Sequence, residues 1–397
     1  MKTNFKLFAL AALALTLGFS SCSNNDDDAP DGQKRVTVKI NVSGISTRAV
    51  GSTAVGVTPT LSDLTLFFVG NNIVQKVETV SSPSSGTTGT FTVPNATTKV
   101  YALGNVSAQT SPTSLPTAGA AEADVQKLML EVNKQGGMID TDFDPALVNL
   151  TAGKHATVGT AYNGVTFDGS NDAEFDIVPA ISRYEIKKVS SANTIQTGVT
   201  QPLSSFELKG IYITNTYRTV GIDYTTVPTA AGDIINDGPN VGTGAAGAAA
   251  FAGAIPAYLQ DAVTGAAALS FQPAGPSTSW NYFVMPVNST TGTTLKTLSD
   301  PESAMPIIVL RIDNATSTTV TNPPTYASPS YINVRKFVLS SDGTPVNVME
   351  PGKAYVIDEI VFGGEHLTEI PAVNHEKSVT VKVTVKPWTG VGVKPEL

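Results

Sequence analysis

Residues that could perform catalysis are few in this chain and lie far apart in the sequence. The three histidines are His155, His366 and His375, and no Gly-x-Ser-x-Gly motif accompanies them. A Ser-His-Asp triad can be assembled from distant residues, but the local motif that would indicate a nucleophile is missing. Each histidine is better explained as a solvated surface residue. The sequence therefore predicts no catalytic residue, and an extracellular hydrolase is the least favoured hypothesis.

Two further patterns have the form of ligand sites, and both fail on spacing or context. Residues 140–144 resemble the start of a calcium-binding loop, but Pro145 and Thr151 stand where Gly and Glu are needed. Residues 242–247 fit the letters of a dinucleotide fingerprint, but no strand leads into them. No two histidines are close together and Cys22 is the sole cysteine, which argues against a zinc site. No metal ion and no cofactor are predicted.

Cys22 is placed for covalent lipidation. Lys2 and Lys6 precede the apolar run at 7–17, and two serines lead directly into the cysteine. A basic start, a short apolar segment and a small-residue cleavage site form a secretory signal peptide that is too short to span a bilayer. Because the cysteine follows at once, the pattern is similar to a lipoprotein site at which Cys22 becomes the acylated first residue. An ordinary signal with an incidental cysteine is the alternative.

A strand pattern near the start of the chain is nearly repeated near its end. Residues 36–42 read VTVKINV, and residues 379–385 read VTVKVTV. Each segment places four β-branched apolar side chains on one face of a strand and polar side chains on the other. These are Val36, Val38, Ile40 and Val42 in the first segment, and Val379, Val381, Val383 and Val385 in the second. Two strands with the same two faces could occupy the same position in a sheet.

Arg48 and Ala49 follow the first of these segments and offer a cleavage site for an arginine-specific protease. A cut there would release the first strand and leave a groove of apolar side chains and unpaired backbone groups, which is a template for strand addition. Before cleavage the chain's own strand would fill the groove at high effective concentration. Strand 379–385 of a neighbour could replace it, and a head-to-tail contact that does not close gives a filament.

Composition favours an extracellular β-protein. The chain has 397 residues, of which 15% are charged, and a net charge of −8. An acidic surface repels phosphate groups, which excludes nucleic acid as a partner. Thr, Val, Ser, Gly and Pro are abundant, which favours strands and turns. About 350 residues remain after the leader, enough for two domains.

The hydrophobic pattern predicts strands along most of the body, without the alternating helices of a parallel sheet. Apolar residues at helical spacing predict a helix of about four turns over residues 121–134. Residues 219–279 are rich in Gly, Ala, Thr and Pro, and are predicted to form a long surface insertion with one short helix at 248–263.

Four features, in this order, resemble one family. They are the lipoprotein-type signal ending at Cys22, the strand followed by Arg48, the apolar strand at 61–69, and a C-terminal segment that runs from residue 353 to Trp388. Together they resemble a FimA-type major fimbrillin, the type V pilus subunit lipoprotein of Bacteroidetes. The acidic residues after Cys22 are similar to the tether of surface lipoproteins in these bacteria.

The resemblance implies an all-β fold of two transthyretin-like antiparallel β-sandwich domains in tandem. It divides the chain into a signal peptide at 1–21, a lipidated propeptide with a removable strand at 22–48, an N-terminal sandwich at 49–183 and a C-terminal sandwich at 184–397. The last of these contains the 219–279 insertion and ends in the donor strand at 379–385 with Trp388. The residues after Trp388 either extend the donor or remain free.

The resemblance also implies a location and partners. The precursor would be held at the outer membrane by the lipid on Cys22 and cut after Arg48 by an arginine-specific protease. It would then join other copies of itself and accessory subunits in a fimbria that supports adhesion or biofilm formation. A stalk role is favoured because cut site and donor strand are both present.

The alternative hypothesis is a monomeric surface lipoprotein that binds glycans through its β-sandwich modules. It requires an exposed aromatic cluster, for which Trp280, Tyr282 and Phe283 are the candidates. As part of a predicted strand, these three side chains are better explained as core residues.

Overall fold

The computed structural model describes only part of the chain. The described residues are 29–42, 63–81, 87–104, 115–131, 157–159, 165–169, 171–179, 182–214, 216–217, 219–221, 234–235, 260–262, 270–271, 280–284, 305–318, 321–350, 352–369 and 377–387. Cys22, Arg48, Ala49 and Trp388 lie outside them, so lipidation, cleavage and the role of the tryptophan stay predictions. The signal peptide, the patterns at 140–144 and 242–247, His155 and His375 also lie outside the described residues.

The fold is all-β, as predicted. The part of the chain up to Pro179 contributes β1 Gln33–Val42, β2 Asp63–Gly70, β3 Ile73–Ser81, β4 Thr87–Pro94, β5 Lys99–Gly104, β6 Met129–Glu131, β7 Thr157–Gly159, β8 Val165–Thr166 and β9 Asp172–Pro179. A single helical turn, α1 Glu122–Gln126, precedes β6. β2 and β3 form a hairpin whose turn residues Asn71 and Asn72 both have positive φ, a conformation that asparagine tolerates and that matches the strand twist.

The rest of the chain supplies the other described strands. They are β10 Ser182–Ile186, β11 Val189–Ser191, β12 Leu203–Thr214, β13 Thr216–Tyr217, β14 Thr219–Gly221, β15 Ile234–Ile235, β16 Gln260–Ala262, β17 Ser270–Phe271, β18 Trp280–Val284, β19 Ile307–Ser317, β20 Ser330–Leu339, β21 Lys353–Ile357, β22 Ile360–Phe362 and β23 Val379–Pro387. A 3-10 turn, Gly364–His366, follows β22.

The N-terminal strands form one sheet in the order β3-β2-β5-β7-β9-β1-β4, with β8 beside β5. The two ends of this path fold over each other, since Phe68 of β2 lies 5.2 Å from Phe91 of β4 between ring centroids. Lys76 of β3 also donates a hydrogen bond to the Thr92 carbonyl of β4 at 3.0 Å. The sheet therefore closes into a sandwich whose core is apolar.

The C-terminal strands form a second sheet in the order β16-β12-β19-β20-β23-β21-β10-β18. Tyr184 of β10 stacks on Phe337 of β20 with 5.4 Å between ring centroids, so the two ends of this path also face each other across a core. The Tyr184 hydroxyl donates to the Pro306 carbonyl at 2.8 Å, which satisfies its buried polar group. The chain passes from the first sheet to the second between Pro179 and Ser182. The predicted domain limits stay predictions.

Two elements differ from the sequence-based expectation. The helix predicted over 121–134 is limited to Glu122–Gln126, because the chain then enters β6, which pairs with β14. Tertiary pairing has overridden the helical period there. In the predicted insertion, Gln260–Ala262 is a strand paired with β12 rather than part of a helix, and Ser270–Phe271 pairs with β11.

Candidate assembly interface

β1 is an interior strand of the N-terminal sheet. Its residues Gln33–Ile40 pair antiparallel with β4, and Thr37–Val42 pair parallel with β9. Val36, Val38 and Ile40 are at most 1% exposed. They pack in the core with side chains of β2, β4, β5 and β9. We refer to the position between β9 and β4 as the N-terminal slot.

The opposite face of β1 is polar and carries an ion pair. Lys39 Nζ lies 2.6 Å from Glu174 Oε1, and the two residues stand directly opposite each other in the β1/β9 ladder. Both side chains are about half exposed. Asp168 and Asp172 line the same shallow cleft, whose volume is about 280 Å3. Three carboxylates, those of Asp168, Asp172 and Glu174, thus surround Lys39 in this cleft.

β23 is likewise held between two strands of the C-terminal sheet. Val379–Val383 pair parallel with β20, and Thr384–Pro387 pair antiparallel with β21. Val379, Val381 and Val383 are at most 3% exposed and belong to the large C-terminal core, and Val385 packs against it. We refer to this position as the C-terminal slot.

The two slots hold their strands in the same way. Each lies between one parallel and one antiparallel neighbour, and each turns the alternate valine or isoleucine side chains into a core. They differ in how completely the strand is paired. Residues Thr37–Ile40 have ladder partners on both edges, whereas no residue of β23 has a ladder partner on both edges within the described part of the chain.

The second edge of the first half of β23 is open. A cleft of about 580 Å3 runs beside Ser378–Lys382, and Asp358, Glu359 and His366 also line it. Among the described residues, no other strand forms backbone hydrogen bonds with this edge. β23 is therefore held less completely by its own sheet than β1 is.

Three other residues singled out from the sequence are buried or mostly buried in the structure. Trp280 and Tyr282 are each 1% exposed, so these members of the candidate aromatic platform are buried in the core, while the side chain of Phe283 is not described. His366 is not a solvated surface residue, contrary to expectation, since its side chain is only 15% exposed. Its Nδ1 accepts a hydrogen bond from the Gly363 amide, and burial lowers its pKa.

The described segments contain neither a cluster of metal-ligating side chains nor a membrane-spanning helix. No group of three or more His, Cys, Asp or Glu side chains in the described segments could hold a metal ion. Nor is any helix within those segments long and apolar enough to cross a membrane.

Comparison with known proteins gives no sequence match but a structural one. No protein-family model and no curated protein matches the sequence. A fimbrilin (FimA) from Porphyromonas gingivalis superimposes with a TM-score of 0.51 at 12% identity, over 90% of this chain and 99% of that one. The chain has the fimbrilin fold. A candidate cell adhesion protein from Parabacteroides distasonis is similar over 90% of this chain and 99% of its own, with a TM-score of 0.49 and 12% identity.

The all-β fold could be foreseen from the strand patterns, but the partners of each strand could not. Glu174 was not singled out from the sequence. It meets Lys39 across a separation of 135 residues, and nothing local to Glu174 marks it as the partner of β1.

Proposed function

We propose that this protein is a structural subunit, of the stalk type, of a cell-surface fimbria that supports adhesion. In this proposal the precursor is exported as a lipoprotein anchored through Cys22, cut after Arg48 and polymerised by donor-strand exchange. The carrying observation is that β1 and β23 have nearly the same sequence and lie in slots with the same pairing. The structural similarity to a fimbrilin supports the fimbrial role.

Release of β1 would create a well-formed acceptor. The N-terminal slot would then be lined by the side chains that now contact Val36, Val38 and Ile40, and by the free edges of β4 and β9. Burial of a valine or isoleucine contributes about 1.5–3 kcal/mol, and each ladder hydrogen bond contributes about 0.5–1.5 kcal/mol. An empty slot therefore favours capture of a strand with the same alternation.

To act as donor, β23 must leave the C-terminal slot. The direction of exchange therefore depends on which of the two slots holds the strand more strongly. Each exchange fills one N-terminal slot and empties one C-terminal slot, so the valine burial gained and lost is nearly equal. The difference is in backbone pairing, because the N-terminal slot pairs residues Thr37–Ile40 on both edges while the C-terminal slot pairs each half of β23 on a single edge. Transfer of β23 is therefore favourable once β1 has gone.

The test locks β23 in its own sheet. Soluble protein starting at residue 23 contains no cysteine, so Ala354→Cys combined with Lys386→Cys introduces one defined pair. These residues are directly opposed in the β21/β23 ladder, where cross-strand Cα distances suit a disulfide. The oxidised variant, the same variant reduced, and the wild type are each treated with a trace of arginine-specific protease. Products are examined on unheated SDS gels and by negative-stain electron microscopy.

The expected result is a cut at Arg48 followed by a ladder and filaments for the wild type and the reduced variant, and cut monomers for the oxidised variant. A ladder of oligomer bands on the gel from the oxidised variant would exclude β23 as the donor. A wild type that is cut at Arg48 and stays monomeric at high concentration would overturn strand-exchange polymerisation as a whole.

A further inference from the structure

The apolar face of the donor strand does not fix where it stops in the acceptor slot. β23 has valine at 379, 381, 383 and 385. A shift by two residues in either direction still keeps three of these four valines facing the core, because side chains alternate with a period of two. The opposite, polar face of the strand can therefore contribute to the register.

The polar face of β1 carries a residue pair that can define the register of a strand in the slot. Lys39 is directly opposed to Glu174 on one side and to Thr88 on the other, so Glu174 supplies the charge complement in the ladder. The Lys39 Nζ to Glu174 Oε1 distance is 2.6 Å. Asp168 and Asp172 lie in the same cleft. When β1 is released, the N-terminal slot therefore loses Lys39 and keeps the carboxylates of Asp168, Asp172 and Glu174.

We propose, on the premise of strand exchange, that Lys382 of a second copy replaces Lys39 beside Glu174 and fixes the register of the donor. Aligning VTVKVTV with VTVKINV places Lys382 at the position of Lys39. A shift of two residues would place Thr380 or Thr384 there instead, which leaves Glu174 without a cation from the donor. Among the unshifted register and the two registers shifted by two residues, only the unshifted one satisfies both the core and the ion pair.

Lys382 is available for this contact. In its own sheet it is exposed, stands opposite Val338 of β20, and makes no ion pair among the described residues. It lines the open cleft along the first half of β23. Its transfer to Glu174 therefore breaks no ion pair of the described C-terminal sandwich and adds one at the junction between subunits.

The experiment is a charge exchange in the soluble chain from residue 23. Lys382→Glu, Glu174→Lys and the double variant are cut with arginine-specific protease, and ladder growth is normalised to the fraction cut. Each single variant is expected to assemble about two- to fivefold more slowly than wild type, because like charges then oppose each other at every junction. The double variant restores opposite charges across the junction and should recover the rate. At 1 M NaCl the differences should shrink, because the charges are half exposed and screened.

A matched control keeps the same change of charge but moves it along the strand. Lys386→Glu combined with Glu174→Lys is expected to give no recovery, because Lys386 aligns with residue 43 rather than Lys39. Thermal unfolding of the uncut variants reports on folding, and Lys382→Gln replaces Lys382→Glu if the latter unfolds.

The outcomes separate this inference from the proposed function. If wild type is cut and does not assemble, strand exchange itself fails. If wild type assembles and all variants assemble at its rate, strand exchange stands and the register inference is wrong. Slow single variants without recovery in the double variant also overturn it, since the charges would then act outside the Lys382–Glu174 pair.

Discussion

At the residue scale, Val38 and Val381 are counterparts in the two repeated segments. Each is almost fully buried, Val38 in the N-terminal core and Val381 in the C-terminal one. A threonine at either position has nearly the same shape but places a hydroxyl in an apolar environment. In the proposed assembly the two positions nevertheless have different consequences, because β1 would be lost on cleavage and β23 would remain.

Val38→Thr is expected to lower the free energy of unfolding of the uncut N-terminal sandwich by about 1–3 kcal/mol. The fraction of uncut chains with β1 displaced would rise roughly tenfold, and ladder formation without protease should increase. After cleavage its assembly should match wild type, because residue 38 has left with the propeptide. Gel densitometry of uncut and cut samples measures both effects.

Val381→Thr is the matched control for this prediction. The hydroxyl destabilises β23 in the C-terminal slot and in an acceptor slot alike, so the uncut variant should unfold more easily without forming more ladder. Equal protease-independent assembly by both variants would show that β1 does not act as the block.

At the element scale, the turn before β12 is joined to the 3-10 turn by one carboxylate. Glu365 accepts hydrogen bonds from the backbone amides of Thr200 and Gln201. Burial alone would raise its pKa, but these amides, together with the neighbouring His366, hold the pKa below its ordinary value. The carboxylate therefore links two elements that are separated by more than 160 residues.

Because the pKa of Glu365 is lowered in the folded protein, its contribution is present above the unfolded pKa and is lost as pH falls through the folded value. Burial also lowers the pKa of His366, so protonation of this residue destabilises the fold in the same direction. Glu365→Gln should reduce unfolding free energy at pH 7 by on the order of 1 kcal/mol, at the low end because the group is partly exposed.

The difference between Glu365→Gln and wild type should narrow as the pH falls below about 4.3, the ordinary pKa of glutamate, and should disappear only below the lowered pKa of the folded carboxyl. Urea unfolding at pH 7, 5 and 3.5 measures it. A constant difference across this range would mean that the charge of Glu365 contributes nothing.

At the scale of the whole molecule, the proposed assembly gives the two sandwiches complementary roles. The N-terminal sandwich contains an interior strand that lies close to a predicted cut, and the C-terminal sandwich contains the strand that resembles it. β1 pairs with a strand on each edge. Its release should therefore affect both neighbours, β4 and β9, and leave the other sandwich intact.

Hydrogen exchange can test whether release of β1 affects only the N-terminal sandwich. The oxidised Ala354→Cys/Lys386→Cys variant suits this test, because it is expected to remain monomeric after cleavage. Amides of β4 and β9 should lose protection once β1 is released, because their ladder partners have gone. Amides of β20 and β21 should keep theirs. Loss of protection throughout the chain would mean that β1 supports the entire fold rather than one slot.

The sequence by itself determined the strand character of the chain and the inward face of β1 and β23, because alternation with a period of two is a local property. It failed for residues 129–131 and 260–262, where helical patterns yield to strands held by distant partners.

Only the tertiary structure decided which strands border each slot and which carboxylate meets Lys39. Ladder hydrogen bonds join backbone groups that all residues share, so local sequence carries little information about the partner. The pairing of Lys39 with Glu174 and the half-paired position of β23 arise when each sheet closes over its core. Those two features, on which the proposed direction and register of exchange rest, depend on contacts between segments that lie far apart in the chain.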